Sequence, residues 1–187
     1  MKRFETVLFL GVLVLAACGG SGGGGDDPVV DAGGGVPKTS VSATFTPNEP
    51  NPGPDTVSMD QASAVADTIT VAVLITNTDN LHTAGFDVIF DDTAMDFLGH
   101  NEGSLLEQGG NAPTYSVASQ TGRVVVGVSR SGSSETSAVG SQTLIELVFK
   151  VHTAGTHAVS LANADLLNSG VNILQGISWF GGNAVAN

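Results

Sequence analysis

The chain has 187 residues, with six Lys and Arg against eighteen Asp and Glu, and a formal net charge of −12. A surface this acidic is repelled by nucleic acid and by anionic lipid, which excludes both as expected partners. The single cysteine excludes a disulfide framework and a multi-thiolate metal site, so the fold must hold together by packing alone.

In chain order, Lys2 and Arg3 precede an apolar run over residues 7–15, and Leu15-Ala16-Ala17-Cys18 has the form of a bacterial lipobox. The run is shorter than the roughly 20 residues a membrane-spanning helix needs, so residues 1–17 read as a lipoprotein signal peptide. Cys18 is then the lipidation site. Several acyl chains on it would anchor the protein stably, and lipid would be its one attachment to a membrane. Gly19, in place of an Asp that retains some lipoproteins at the inner membrane, points to the outer membrane or cell surface of a bacterial envelope. Residues 18–54 are rich in Gly, Pro and Asp and read as a linker, with a reach of about 30–36 Å for a flexible chain. Val41 to Phe45 fits either a first short strand or part of that stalk.

Residues 55–187 form one expected domain. Ile69, Val71, Val73 and Ile75 share one side of a strand, and Phe86, Val88 and Phe90 share one side of the next, after the polar turn at residues 77–80. Alternation returns at Val57–Met59, Met95–Leu98, Thr114–Ala118, Val124/Val126/Val128, Ile145/Leu147/Phe149/Val151 and Val159/Leu161, then at residues 171–174 and 177–180. Residues 60–67 and 133–141 read as loops. About nine short strands with close turns and no long 3.6-residue period predict an all-β, antiparallel jelly-roll β-sandwich.

Nothing in the pattern supports an enzyme. His82, His100, His152 and His157 lack metal-ligand spacing, and Gly127-Val-Ser129-Arg-Ser131 lacks the final glycine of a nucleophile elbow. Asp91, Asp92 and Asp96 could hold calcium through carboxylate oxygens, but read better as a solvated strand end.

From about residue 55 onward the chain resembles the cohesin family. The resemblance rests on Thr68-Ile-Thr-Val-Ala-Val, Ala84-Gly-Phe-Asp-Val-Ile-Phe-Asp, Gly103-Ser-Leu-Leu, Gly122-Arg-Val-Val-Val running to Ser129-Arg-Ser-Gly, and Leu144-Ile-Glu-Leu-Val-Phe-Lys-Val, in the family's order. It implies a non-catalytic nine-stranded jelly roll that captures dockerin modules, the calcium-loaded helical domains of polysaccharide-degrading enzymes. Calcium would belong to the partner, and no cofactor is expected here. The implied capture face is one sheet of four strands, placed at residues 144–151, 85–91, 123–130 and 114–118.

On that placement the out-of-phase residues Ile89, Val125, Leu144 and Val148 would form an apolar centre. Asp87, Asp91, Arg123, Arg130, Glu146 and Lys150 would rim it. Asp87 matches a family aspartate that helps hold the dockerin. The strand carrying it is about two residues shorter than is usual in the family. Ser129-Arg130-Ser131 stands where the family carries an acidic pair. Two other readings stay open: a carbohydrate-binding sandwich, for which Trp179 and Tyr115 are the candidate platforms, and a structural or adhesion lipoprotein without a dockerin partner.

Overall fold

Side chains alternate sides along a strand, so the β-branched runs place one apolar row inward and one polar row outward. A computed structural model describes residues 41–187. The signal, Cys18 and most of the expected linker lie outside the described residues.

Eleven strands are seen among them: β1 (Ala43–Pro47), β2 (Thr56–Val65), β3 (Thr68–Thr76), β4 (Thr83–Ile89), β5 (Met95–Glu102), β6 (Thr114–Gln120), β7 (Arg123–Ser129), β8 (Ser141–Val151), β9 (Gly155–Leu167), β10 (Ser178–Phe180) and β11 (Gly182–Ala186). They form two sheets, in the orders β1-β11-β9-β4-β7-β6 and β10-β2-β3-β8-β5. All pairings are antiparallel except the short β10–β2 pair. The expected all-β sandwich is therefore present.

Four local expectations change. Ala43–Pro47 is a strand paired with β11, so the folded domain begins before residue 55. Residues 60–65, expected in a loop, continue β2 as the outer part of a hairpin with β3, through a register shift between Gln61 and Ser63. Residues 171–174 make only an isolated bridge, Leu167 to Ile173. The turn after Thr76 does not close a hairpin: β3 and β4 belong to opposite sheets, and Asn77 and Asn80 take positive φ (46° and 58°) as the chain crosses between them.

The core lies between the sheets. Met59, Ile69, Ile75, Ile145, Leu147 and Phe149 enter from one sheet and Phe86, Val88, Val126 and Val128 from the other, all 2 % exposed or less. Phe149 sits at its centre, edge-on to Phe90 at 5.3 Å and to Phe97 at 5.5 Å between ring centroids, a favoured aromatic geometry. At one margin Gly182 lies under the Phe45 ring, where a Cβ would overlap it; only glycine lets β11 approach β1 there. Tyr115 ties β6 to the other sheet: its hydroxyl donates to the Gly103 carbonyl (2.8 Å) and accepts from the Gly103 N–H (3.1 Å).

Removing the Phe149 ring leaves a cavity that two rigid sheets cannot close. Phe149→Ala should cost about 3–5 kcal/mol of unfolding free energy, read from urea denaturation.

Candidate functional site

Four strands of the six-stranded sheet build a continuous outer face. Their inward residues, Ala84, Phe86 and Val88 on β4 and Val124, Val126 and Val128 on β7, are buried in the core, so the residues between them point out. Cross-strand pairing sets the outward residues in rows: Leu167–Thr83–Ser129–Thr114, then Asp165–Gly85–Gly127–Ser116, Ala162–Asp87–Val125–Ala118 and Ser160–Ile89–Arg123–Gln120. Glycine, alanine and serine dominate the two central rows, so the middle of the face is low and flat. A Cβ built on Gly85 meets nothing within 4 Å.

Beside Asp165 on β9, Asp87 is the acid of β4 at the centre of this face. It is only 6 % exposed. Its Oδ2 accepts from Asn163 Nδ2 at 2.7 Å and from Arg123 Nη1 at 3.2 Å. Arg123 also donates to the Gln120 side chain. Asn163 reaches Asp87 because β9 bulges there: Gly85 pairs with Asp165 but Asp87 pairs with Ala162, and Asn163 takes φ 48°. Asparagine tolerates that left-handed conformation better than most residues, and a bulge re-aims a side chain across the sheet. The carboxylate is thus held in place before any partner arrives.

The expected site residues separate into three groups. Asp87, Ile89, Arg123 and Val125 lie on this face as read from the sequence; Ile89 is 37 % exposed at its lower row. Leu144, Glu146 and Val148 do not. Strand β8 belongs to the five-stranded sheet, and the chain crosses to the other sheet in the short connection before β9. Glu146 and Val148 point outward on that opposite sheet, where Glu146 accepts from Asn101 Nδ2 at 3.0 Å. Leu144 is fully buried, because a register shift against Val73 and Leu74 places it and Ile145 in succession on the core side. The fourth strand of the face is β9 instead.

Asp91 and Arg130 have other tasks. Strand β4 ends at Ile89, and Asp91 organises the following turn, accepting from Thr93 Oγ1 (2.6 Å) and the Thr93 N–H (2.9 Å). Its other oxygen lies 3.8 Å from His157 Nδ1. Arg130 is 6 % exposed, below the face rather than on it. Lys150, expected at the rim, pairs with Asp67 at 3.5 Å on the other sheet. Among the described residues no three His, Cys, Asp or Glu side chains gather as a metal site, Asp91, Asp92 and Asp96 included.

Ser160, Ala162, Asn163 and Asp165 are the face residues that the sequence reading missed. Their signal was the break in alternation at Leu161-Ala-Asn-Ala-Asp-Leu166, which marks a bulge. The aromatic candidates go elsewhere: Trp179 leans on the core ring of Phe86 at 6.1 Å, and Tyr115 points between the sheets. The face therefore offers no aromatic platform for sugar rings.

A flat strand face with a pre-held carboxylate, on an all-β sandwich, belongs to a class of protein-interaction modules. The family model for the cohesin domain matches residues 56–176, and the chain belongs to the cohesin family. Cohesin domains are non-catalytic interaction modules. Similar solved structures include a non-cellulosomal cohesin from the hyperthermophilic archaeon Archaeoglobus fulgidus, at 20% identity over 62% of this chain and 78% of that one, TM-score 0.50. Another is the second type II cohesin module of an adaptor scaffoldin from Acetivibrio cellulolyticus, at 18% identity, 65% and 82% coverage and TM-score 0.53. A third is the cohesin of a type II cohesin–X-dockerin complex from the same organism, at 16% identity, 66% and 92% coverage and TM-score 0.53. At these identities the likeness is one of fold. No curated protein matches the chain.

The turn at Asp91 makes stability depend on pH. The Thr93 hydroxyl, then its N–H, hold the Asp91 carboxyl below its ordinary value, with smaller help from His157 and His152. The unfolded chain therefore takes up that proton at a higher pH than the folded one. The resulting stability is present above the unfolded value of 3.8 and is lost as pH falls through the folded one. Asp91→Asn should flatten the acid limb of the melting-temperature profile below about pH 4. Some slope should remain from Glu135, which Ser169 shifts in the same direction.

Proposed function

We propose that the chain is a receptor module that docks a dockerin-type protein on the outer face of β9, β4, β7 and β6. We further propose that lipid on Cys18 holds it at the bacterial cell envelope, facing outward, as part of polysaccharide-degrading machinery. The observation that carries the docking reading is Asp87, fixed by Asn163 and Arg123 in the middle of a face made low by Gly85, Gly127, Ala118 and Ala162. A rigid helical partner can approach such a face closely, and a prepositioned acceptor loses little freedom on binding. Membership of the cohesin family supports the same reading. So do the dockerins bound to the related cohesins from Acetivibrio cellulolyticus.

The face departs from the expectation of an apolar centre. Leu167, Ile89 and Val125 are its larger apolar residues, each in a different row, while Leu144 and Val148 lie elsewhere. Affinity would then depend on close backbone approach and on polar contacts around Asp87, more than on a greasy patch.

Bulk placed on the flat centre tests this. Gly85→Arg should leave the melting temperature unchanged, since its side chain starts in open space. It should weaken calcium-dependent capture of a dockerin module by about thirtyfold or more, the size of one interface hot spot. Leu98→Arg, at an exposed position on β5 of the other sheet, should bind as the parent does. Equal capture by the Gly85 variant would take the docking off this face, and no capture with calcium or with chelator would leave a structural lipoprotein. Anchoring is tested separately: Cys18→Ser should abolish incorporation of labelled palmitate and release the protein from membranes.

A further inference from the structure

The turn that follows β9 carries apolar side chains that folding alone does not account for. Val171 is 76 % exposed and Ile173 51 % exposed. Val171 also takes φ 62°, in the left-handed region that a β-branched side chain rarely enters. The position is thus doubly unfavourable to the isolated domain: its backbone is strained and its side chain is left in water.

Hydrogen bonds hold the turn in that conformation. Asn168 Oδ1 accepts from the Gly170 N–H (3.0 Å) and the Asn172 N–H (2.9 Å), and the Val171 N–H donates to the Asn168 carbonyl at 3.1 Å. From outside the turn, Glu135 Oε1 accepts from the Ser169 N–H (2.9 Å) and Oγ (2.7 Å). A strained residue persists where its surroundings fix it, and such residues gather at ligand contacts.

The turn continues the docking face. Ile173 bridges antiparallel to Leu167, through the Leu174 N–H to the Leu166 carbonyl (2.8 Å) and the Asn168 N–H to the Asn172 carbonyl (3.0 Å). Directly opposed residues point to the same side of a sheet. The outward row Thr114–Ser129–Thr83–Leu167 therefore gains Ile173 at its end. Leu167 and Ile173 make an apolar margin beside the flat centre, with Val171 at the tip of the adjoining turn. The next row carries Asp165, an exposed carboxylate two residues from Leu167 along β9, a step of about 6–7 Å.

We propose that Val171 and Ile173, with Leu167, are the apolar anchor for the dockerin-type partner. The partner meets them with an apolar side chain of its contact helix and meets Asp165 with a lysine or arginine one turn away. One helical turn rises about 5.4 Å, close to the step between Leu167 and Asp165. A cation suits an exposed carboxylate on a chain of net charge −12. The anchor rests on the docking reading above and names the residues that select the partner.

The test measures the affinity of the full-length protein for a calcium-loaded dockerin module by calorimetry, with the melting temperature in parallel. Val171→Asn should raise the melting temperature by about 2–4 °C, because asparagine accepts the left-handed region and is polar. The same change should weaken binding about tenfold or more. Ile173→Thr should weaken binding likewise at a nearly unchanged melting temperature. Asp165→Lys should weaken it by repelling the partner's cation. Val65→Thr, on β2 of the other sheet and 75 % exposed in the parent, should bind as the parent does. If Gly85→Arg loses binding while Val171→Asn and Ile173→Thr keep it, the anchor is overturned and the docking face stands. A fall in melting temperature for Val171→Asn would make Val171 part of the fold's own packing and overturn its role as an anchor. Full binding by Asp165→Lys would overturn the cation. No binding by the parent would overturn the docking reading and the anchor with it.

Discussion

Apolar contact between the inner faces of two sheets holds this domain, because a chain with one cysteine has no disulfide to share the task. Every inward row, from Ile69–Ile75 on β3 to Phe149 on β8 and Val124–Val128 on β7, is committed to that contact. The commitment decides what faces out. Once Phe86 and Val88 are buried, Gly85, Asp87 and Ile89 have no other direction to take. The candidate docking face is thus a consequence of the core, placed on the far side of the strands that build it.

Strict alternation alone would leave Asp87 as one more solvated carboxylate. The β9 bulge changes that by adding a residue opposite Phe86 and aiming Asn163 back over β4. A second bulge, on β8, does the reverse for Leu144 and turns an expected surface residue into core. Both act through the same geometry. One extra residue shifts the parity of a strand, and parity is all that separates surface from interior in a sheet.

Charge is unevenly used in this acidic domain. Arg123 stabilises the face by covering Asp87, and Lys150 secures the end of β8 to the β2–β3 turn. Arg130 follows directly on the outward Ser129 yet is buried, its Nη2 donating to the Gln108 carbonyl. The position where the family resemblance led one to expect an acidic contact is therefore withdrawn from the face.

The period-2 pattern by itself determined the all-β class, the inward rows of β3, β4, β7 and β8, and the outward direction of Asp87, Ile89, Arg123 and Val125. It could do so because side-chain direction is a local property of an extended chain. It did not determine which strands are neighbours. Leu144, Glu146 and Val148 have the same alternation whichever sheet receives β8, so only tertiary structure could assign that strand to the opposite sheet and set β9 beside β4. Nor could local pattern show that Arg130 is buried without a carboxylate, since its surroundings come from three segments distant in sequence. Direction is written in neighbouring residues; adjacency depends on how two sheets, joined by short crossings, close over one core.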